Sequence, residues 1–369
     1  MHLYYVTNAR MPNEKAHGIQ IAKMCEAFLE EGVAVTLVIP TRRTKNQVAD
    51  FCNLRVAVPT VRLYTPDFFN WGQAGFFISS LWFFIRAQFF LREKEGLVYS
   101  VDMDSFSFAF LPLRTKACFV EIHSAKPVNI FSRYFFRHAS GVIATNGEIA
   151  KTVSESFRVN EENLITEPNG VDINSRTTVS RTDARTRLGL PLNHQIVVYV
   201  GQFYEWKGLG IIAEAARGIP EVEFRIVGGS TEAYKRVTGI TDIPNNVYCE
   251  GLKPPADIPL WLAAADVLLV LGTRASESSY RFTAPMKVFE YFLAKRSVVA
   301  SKTPAIQSLV GEHEVFWYEP DHVEDLSSSI QEALVASDPS KIEGAYERAV
   351  AHSWNARAAR IRAFMQNRI

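Results

Sequence analysis

Two rhythms of apolar residues alternate along this chain. Short unbroken apolar runs are separated by longer stretches in which apolar positions recur every three or four residues. The opening holds one full cycle. A strand from His2 to Thr7 leads into a polar loop through Met11, Pro12, Asn13, Glu14, Lys15, Ala16 and His17. A helix from Gly18 to Glu31 follows, with Ile19, Ile21, Ala22, Cys25, Phe28 and Leu29 near helical spacing, and Gly32 stops it before a strand from Val33 to Ile39. A strand apolar at every position is buried on both faces, which calls for a parallel sheet covered by helices. Further runs at Gly96 to Ser100, Ala117 to Ile122 and Gly141 to Thr145 repeat the theme. They predict a doubly wound domain over residues 1–175.

The rhythm lapses over residues 172–194, rich in Ser, Thr, Arg and Asp, which read as a linker with one short helix. It then restarts: strand Ile196 to Val200, helix Leu209 to Arg217, strands Glu223 to Val227 and Asn246 to Glu250, helix Ala256 to Ala265, strand Val267 to Leu271, helix Pro285 to Ala294, strands Ser297 to Ala300 and Glu314 to Tyr318, and helix His322 to Ala336. This predicts a second doubly wound domain over 190–350, with a helix in 351–369. The expected fold class is α/β, with two Rossmann-like domains facing across a cleft. Ligands of such sheets bind beyond the carboxyl ends of the strands, so chemistry is expected on strand-to-helix loops.

Composition narrows the functional classes. A length of 369 residues suits two domains. With 40 Lys and Arg against 39 Asp and Glu, the chain lacks the charge excess of a bulk nucleic-acid binder. Cys25, Cys52, Cys118 and Cys249 form no C-x-x-C pair and read as reduced packing thiols. The chain opens into an apolar strand without a basic leader, so a cytoplasmic protein is expected. Between Gly72 and Lys94 the uncharged run stops at Arg86, short of the roughly 20 apolar residues a membrane span needs, and no span is expected there.

Three segments carry candidate chemistry. In TAPMKVFEYFLAKRSVVAS, Pro285 is read as the first helical residue, with the amides of Met286 and Lys287 open to an anion and Glu290 one and a half turns on, able to accept from two hydroxyls. The competing reading is an amphipathic helix with a solvated glutamate. In YVGQFYEWKGLG, Gly201 ends a buried strand and Lys207 sits before a helix, placed to neutralise phosphate, unless it is an ordinary solvated lysine. The turn-rich PNGVD, Pro168 to Asp172, closes the first domain.

The order of the Gly18 loop and helix, PNGVD, VGQFYEWKG, EGLKPPADIPLWLAAADVLLV, and APMKVFEY followed by VVAS resembles the GT-B glycosyltransferases of family 4, over nearly the whole chain. That resemblance implies a retaining hexosyltransferase with a nucleotide diphosphate sugar, UDP- or GDP-linked, as co-substrate, and no cofactor or metal. By position, Lys207 resembles the phosphate-binding lysine, Glu290 the ribose-holding second glutamate of a Glu-x7-Glu motif, Gly251 and Leu252 the backbone framing the base, Gly18 the glycine approaching the donor phosphates, and His123 the histidine near the transferred sugar. The helix in SWNARAARIRAFMQ resembles the segment returning to the N-terminal domain. Catalysis is thereby expected of His123, Lys207 and Glu290. Donor binding is expected of Gly18, Gly201, Gln202, Lys207, Gly251, Leu252, Pro285, Met286, Lys287 and Glu290.

Two positions depart from the pattern. Phe282 stands where the first glutamate belongs, and Gln202 where an arginine usually follows the strand glycine. Glu277 and Arg281, in the polar loop GTRASESSYRF, are candidates to replace those donor contacts or to touch the acceptor, beside the commoner reading of a solvated loop, and Asn13 and Lys15 to line the cleft. Asp102-Met103-Asp104 spells a D-x-D metal motif but follows a strand of the acceptor-side half, where two solvated carboxylates are the commoner reading; Asp102 is retained as an acceptor contact. Phe83, Phe84, Phe89 and Phe90 interleave with Arg86 and Arg92, and Phe131, Tyr134, Phe135 and Phe136 with Arg133 and Arg137. Residues 1–150 carry 16 Lys and Arg against 12 Asp and Glu. Such a face suits peripheral contact with an anionic membrane, at the inner face of the cell membrane, and a glycan or lipid-linked acceptor, although aromatics are more often core. A nucleotide-sugar epimerase and a catalytically silent donor-binding partner are the alternative functions.

Overall fold

The computed structural model describes residues 1–13, 16–41, 47–101, 117–336 and 338–369. Asp102, with Met103 and Asp104, and Lys15 lie outside the described residues. The chain forms two compact units, residues 1–170 with 354–369, and residues 171–353.

Unit 1 is built on β1 (His2–Val6), α1 (Ala16–Glu30), β2 (Ala34–Thr41), α2 (Val48–Phe51), β3 (Thr60–Tyr64), α3 (Gly72–Leu91), β4 (Leu97–Val101), β5 (Cys118–Ile122), α4 (Ile130–His138), β6 (Gly141–Ala144), α5 (Gly147–Phe157) and β7 (Leu164–Thr166). Its seven-stranded sheet runs β3-β2-β1-β4-β5-β6-β7, and every pair is parallel. β4, β5 and β6 are buried at every position, as their apolar runs require. The edge strands β3 and β7 escape the sequence reading because they are short and only partly buried.

Unit 2 follows with α6 (Arg181–Leu188), β8 (Gln195–Val200), α7 (Gly210–Gly218), β9 (Val222–Val227), α8 (Thr231–Thr238), β10 (Val247–Gly251), α9 (Ile258–Ala264), β11 (Val267–Val270), α10 (Lys287–Leu293), β12 (Ser297–Ser301), α11 (Pro304–Gln307), β13 (Phe316–Tyr318), α12 (Val323–Ala336) and α13 (Pro339–Ala351). Its parallel six-stranded sheet runs β10-β9-β8-β11-β12-β13. Ile196 and Val198 join one core with Leu268 and Phe289, while Val197 and Tyr199 join the other with Leu269 and Ile212. The alternation shows helices covering both faces.

The stretch read as a linker belongs to unit 2. Within α6 the buried Arg185 guanidinium donates to Asp266 at 2.6 Å and to the Ala264 and His194 carbonyls at 2.9 and 2.8 Å. Its hydrophilic composition hides a structural arginine. The last helix, α14 (Trp354–Gln366), packs on α1 in unit 1, where Asn355 donates to Glu30 at 2.7 Å.

One further expectation is corrected: Phe83, Phe84, Phe135 and Phe136 are buried in unit 1. The segment after Gly72 forms a single 20-residue helix with Arg86 inside it, long and apolar enough to cross a membrane by length and composition alone.

Candidate functional site

In a doubly wound sheet the strand order reverses once, and the loops leaving that point diverge to open a crevice. In unit 2 the reversal lies between β8 and β11. The loop after β8 holds Gly201, Gln202, a tight turn at Glu205–Lys207, and Gly208 leading into α7. Glycines let three strand ends close up here. Gly201 N–H donates to the Val227 carbonyl at 2.8 Å, Gly228 N–H to the Gly251 carbonyl at 2.9 Å, and Gly251 N–H to the Gly229 carbonyl at 3.1 Å. Gly228 has φ +136°, and a Cβ there would overlap the Gly201 carbonyl.

Two ammonium groups meet this glycine-lined end of β8. Lys207 donates to the Gln202 carbonyl at 2.9 Å and lies 5.0 Å from the Tyr204 ring centroid. Lys287 donates to the Val200 carbonyl, lies 4.1 Å above the Tyr199 ring, and occupies the space a Cβ on Gly201 would take. The Tyr199 hydroxyl, beside Gly201, is buried and has no hydrogen-bond partner among the described residues. Burial brings Lys207 down to about 8. Burial, then the Lys207 charge, pulls Lys287 well below the usual lysine value, with Glu290 opposing. Burial raises the Glu290 carboxyl, against the pull of Lys287. Tyr291 fastens α10 to β8, its hydroxyl accepting from Val200 N–H at 2.8 Å.

The structure thus gathers Gly201, Gln202, Lys207, Lys287 and Glu290, with Gly251 joined through Gly228. One other expectation changes. Pro285 is not the first helical residue: α10 begins at Lys287 with Met286 as its cap position, and the Pro285 carbonyl accepts from Val288 N–H at 3.2 Å. The Leu252 side chain is 73% exposed. Glu277 and Arg281 pair with each other at 3.4 Å beside the turn Ser278–Phe282, which packs on the Glu205–Lys207 turn. Phe282, in the position of the first motif glutamate, is buried.

The remaining residues belong to unit 1. His123 follows β5, and its Nε2 lies 2.7 Å from Glu121 Oε1. Glu121 is fully buried and also accepts from Gln20 at 2.7 Å, from Arg357 at 3.0 Å and from the Tyr99 hydroxyl. Burial alone would raise its carboxyl, but the Arg357 charge and the His123 hydrogen bond hold it well below the ordinary carboxylate value. An ionised carboxylate only accepts, so Nε2 of His123 carries the shared proton. The His17 and His123 rings meet edge to face at 6.2 Å. Gly18 is the next residue of α1, and a Cβ on it would strike Asn13. Sequence reading missed Tyr199, Gly228, Gly229 and Tyr291 in unit 2, and Glu121 and Arg357 in unit 1. A charge inside the apolar run CFVEI was the one available signal for Glu121. Among the described residues, no three His, Cys, Asp or Glu side chains cluster in a metal-binding arrangement.

Residues 194–335, which fall within unit 2, match the family model described as Glycosyl transferases group 1. A Bacillus subtilis glycosyltransferase named for teichuronic acid biosynthesis, TuaC, is 25% identical over 151 residues, covering 41% of this chain and 36% of that protein. A D-inositol 3-phosphate glycosyltransferase of Mycobacteroides abscessus is 26% identical over 197 residues, covering 51% and 43%. The chain therefore spans less than half the length of either curated relative. The crystal structure of Anabaena HepE in complex with UDP superposes with a TM-score of 0.72 and 17% identity, over 100% of both chains. The architecture is the GT-B class of fold, two Rossmann-like α/β units.

Proposed function

We propose that the protein is a glycosyltransferase that moves a hexose from a UDP- or GDP-sugar to a glycan, lipid-linked or small-molecule acceptor, with retention of configuration and without a metal ion. One observation carries the reading: two partly buried ammoniums and an unpartnered tyrosine hydroxyl converge on a glycine-lined strand end, an arrangement suited to a diphosphate. The names of the relatives, and the UDP in the HepE crystal structure, support it.

As the bond to the anomeric carbon breaks, negative charge builds on the β-phosphate oxygens. Lys207 and Lys287 are preorganised cations for that charge, at a place where burial strengthens them. The Glu290 carboxylate accepts from the ribose hydroxyls. The acceptor attacks on the face the leaving group vacates. The protein acts in the cytoplasm, at the inner face of the membrane when its acceptor is lipid-linked.

Calorimetric titration with UDP-, GDP- and ADP-sugars tests this. One donor class should bind, and Lys207→Ala and Glu290→Ala should each weaken binding by roughly ten- to a hundredfold, with slow donor hydrolysis lost in both. Absence of binding to every donor, or unaltered affinity in both variants, sinks the assignment. A second reading has its own support: buried Phe282 in place of a glutamate, and Gln202 in place of an arginine, suit a silent donor-binding partner. Tight binding without hydrolysis or transfer would favour it.

A further inference from the structure

A surface helix of a globular domain normally turns charged residues outward. α3 does not. Its inner face is fixed to unit 1 by buried Phe83, Phe84, Ala87 and Leu91, by Ser79 donating to the Pro66 carbonyl at 2.8 Å, and by Ser80 accepting from Asn8 at 2.8 Å. Its outer face presents Phe77, Ile78, Leu81, Trp82, Ile85 and Phe89, with Trp82 45% and Phe89 68% exposed. Contiguous apolar surface of this kind marks an interaction site.

We propose that this face of α3 docks on an anionic lipid bilayer, lying in the interface plane rather than crossing it. The helix has the 20 residues a span requires. Its inner half, however, is core to unit 1, so crossing would break the serine hydrogen bonds and expose that core. The tryptophan and phenylalanines suit the depth of the headgroups. Arg86 stands exposed among them and Arg92 follows the last turn, with no acidic residue between Gly72 and Arg92; Glu93, Lys94 and Glu95 come after. A two-fold contact with a second copy would meet no acidic complement along this helix face, whereas anionic headgroups supply one. The Asn8–Ser80 hydrogen bond ties α3 to the loop leaving β1, so docking brings the bilayer beside a carboxyl-end loop of the unit 1 sheet. The proposal stands apart from the transfer reaction and gives it a lipid-linked class of acceptor if that reading holds.

The test is co-sedimentation of the full chain with phosphatidylcholine vesicles, with and without phosphatidylglycerol. Wild type should pellet with the anionic vesicles, partition roughly tenfold less to neutral ones, and show a blue shift of tryptophan emission on binding. Trp82→Ser with Phe89→Ser should cut partitioning on the order of a hundredfold, and Arg86→Glu should abolish the anionic preference. Both keep the inner face intact, and thermal melting should confirm the fold. Vesicle binding should survive Lys207→Ala, which keeps this outcome separate from the donor titration. Wild type remaining in the supernatant with both vesicles, unchanged binding in the double variant, or a dimer in light scattering that the double variant dissolves would each overturn the proposal.

Discussion

Lys207 gains its chemical character from its setting rather than from its type. Burial takes its ammonium down to about 8, so in the free protein a rise in pH from 7 to 9 removes charge from the cluster. Donor affinity is expected to fall across that window, by up to about tenfold for one charge-assisted contact, and calorimetry at stepped pH reads it directly. The stability consequence has the opposite sign. The unfolded chain holds this proton up to the ordinary lysine value while the folded chain releases it near 8, so folded stability rises with pH between those two values. In Lys207→Met both effects should vanish. Lys207 and Glu290 stood out as candidates in the sequence because each sits close to a strand end or a helix start, and the structure brings both to the end of β8. The Tyr199 hydroxyl was not, since nothing in an apolar strand run reveals which polar tip lacks a partner.

At the scale of elements, the site depends on three strand ends brought within hydrogen-bond distance. Gly228 allows this through its φ of +136° and its missing side chain. Gly228→Ala should cost at least about 2 kcal/mol and, by moving the β8 end, should weaken donor binding as well. Gly210→Ala, at the start of α7 with its nearest neighbour atom 3.6 Å from a new Cβ, should stay within about 0.5 kcal/mol of wild type. Urea unfolding of the two variants makes the comparison. Central strands and their helices were readable from continuous apolar runs. β3 and β7 were not, because edge strands bury one side at most; α6 was read as a short helix, but its place in unit 2 was not, because the Arg185 guanidinium instead of an apolar stripe holds it there. The same blindness affected α3, where period alone did not separate the phenylalanines that face the core from those that face outward.

At the scale of the whole molecule, unit 1 is discontinuous, and its two segments are joined by a buried ion pair. Arg357 of α14 and Glu121 of β5 are both inaccessible to solvent and lie 3.0 Å apart. Removing one member leaves a buried charge without its partner, so Arg357→Met should destabilise unit 1 by about 3–5 kcal/mol, whereas adding Glu121→Leu should recover much of the loss. Denaturant melts followed on unit 1 tryptophans check both. Unit 2, by contrast, is a single continuous segment whose ends meet, with Val171 N–H donating to the His352 carbonyl at 3.0 Å. The order of translation then matters. When a ribosome has released the first 170 residues, Glu121 lacks its arginine, which arrives 236 residues later. Unit 2 can close on itself as it emerges, while the earlier-made sheet of unit 1 waits, its buried carboxylate short of the Arg357 guanidinium, for α14 to be synthesised.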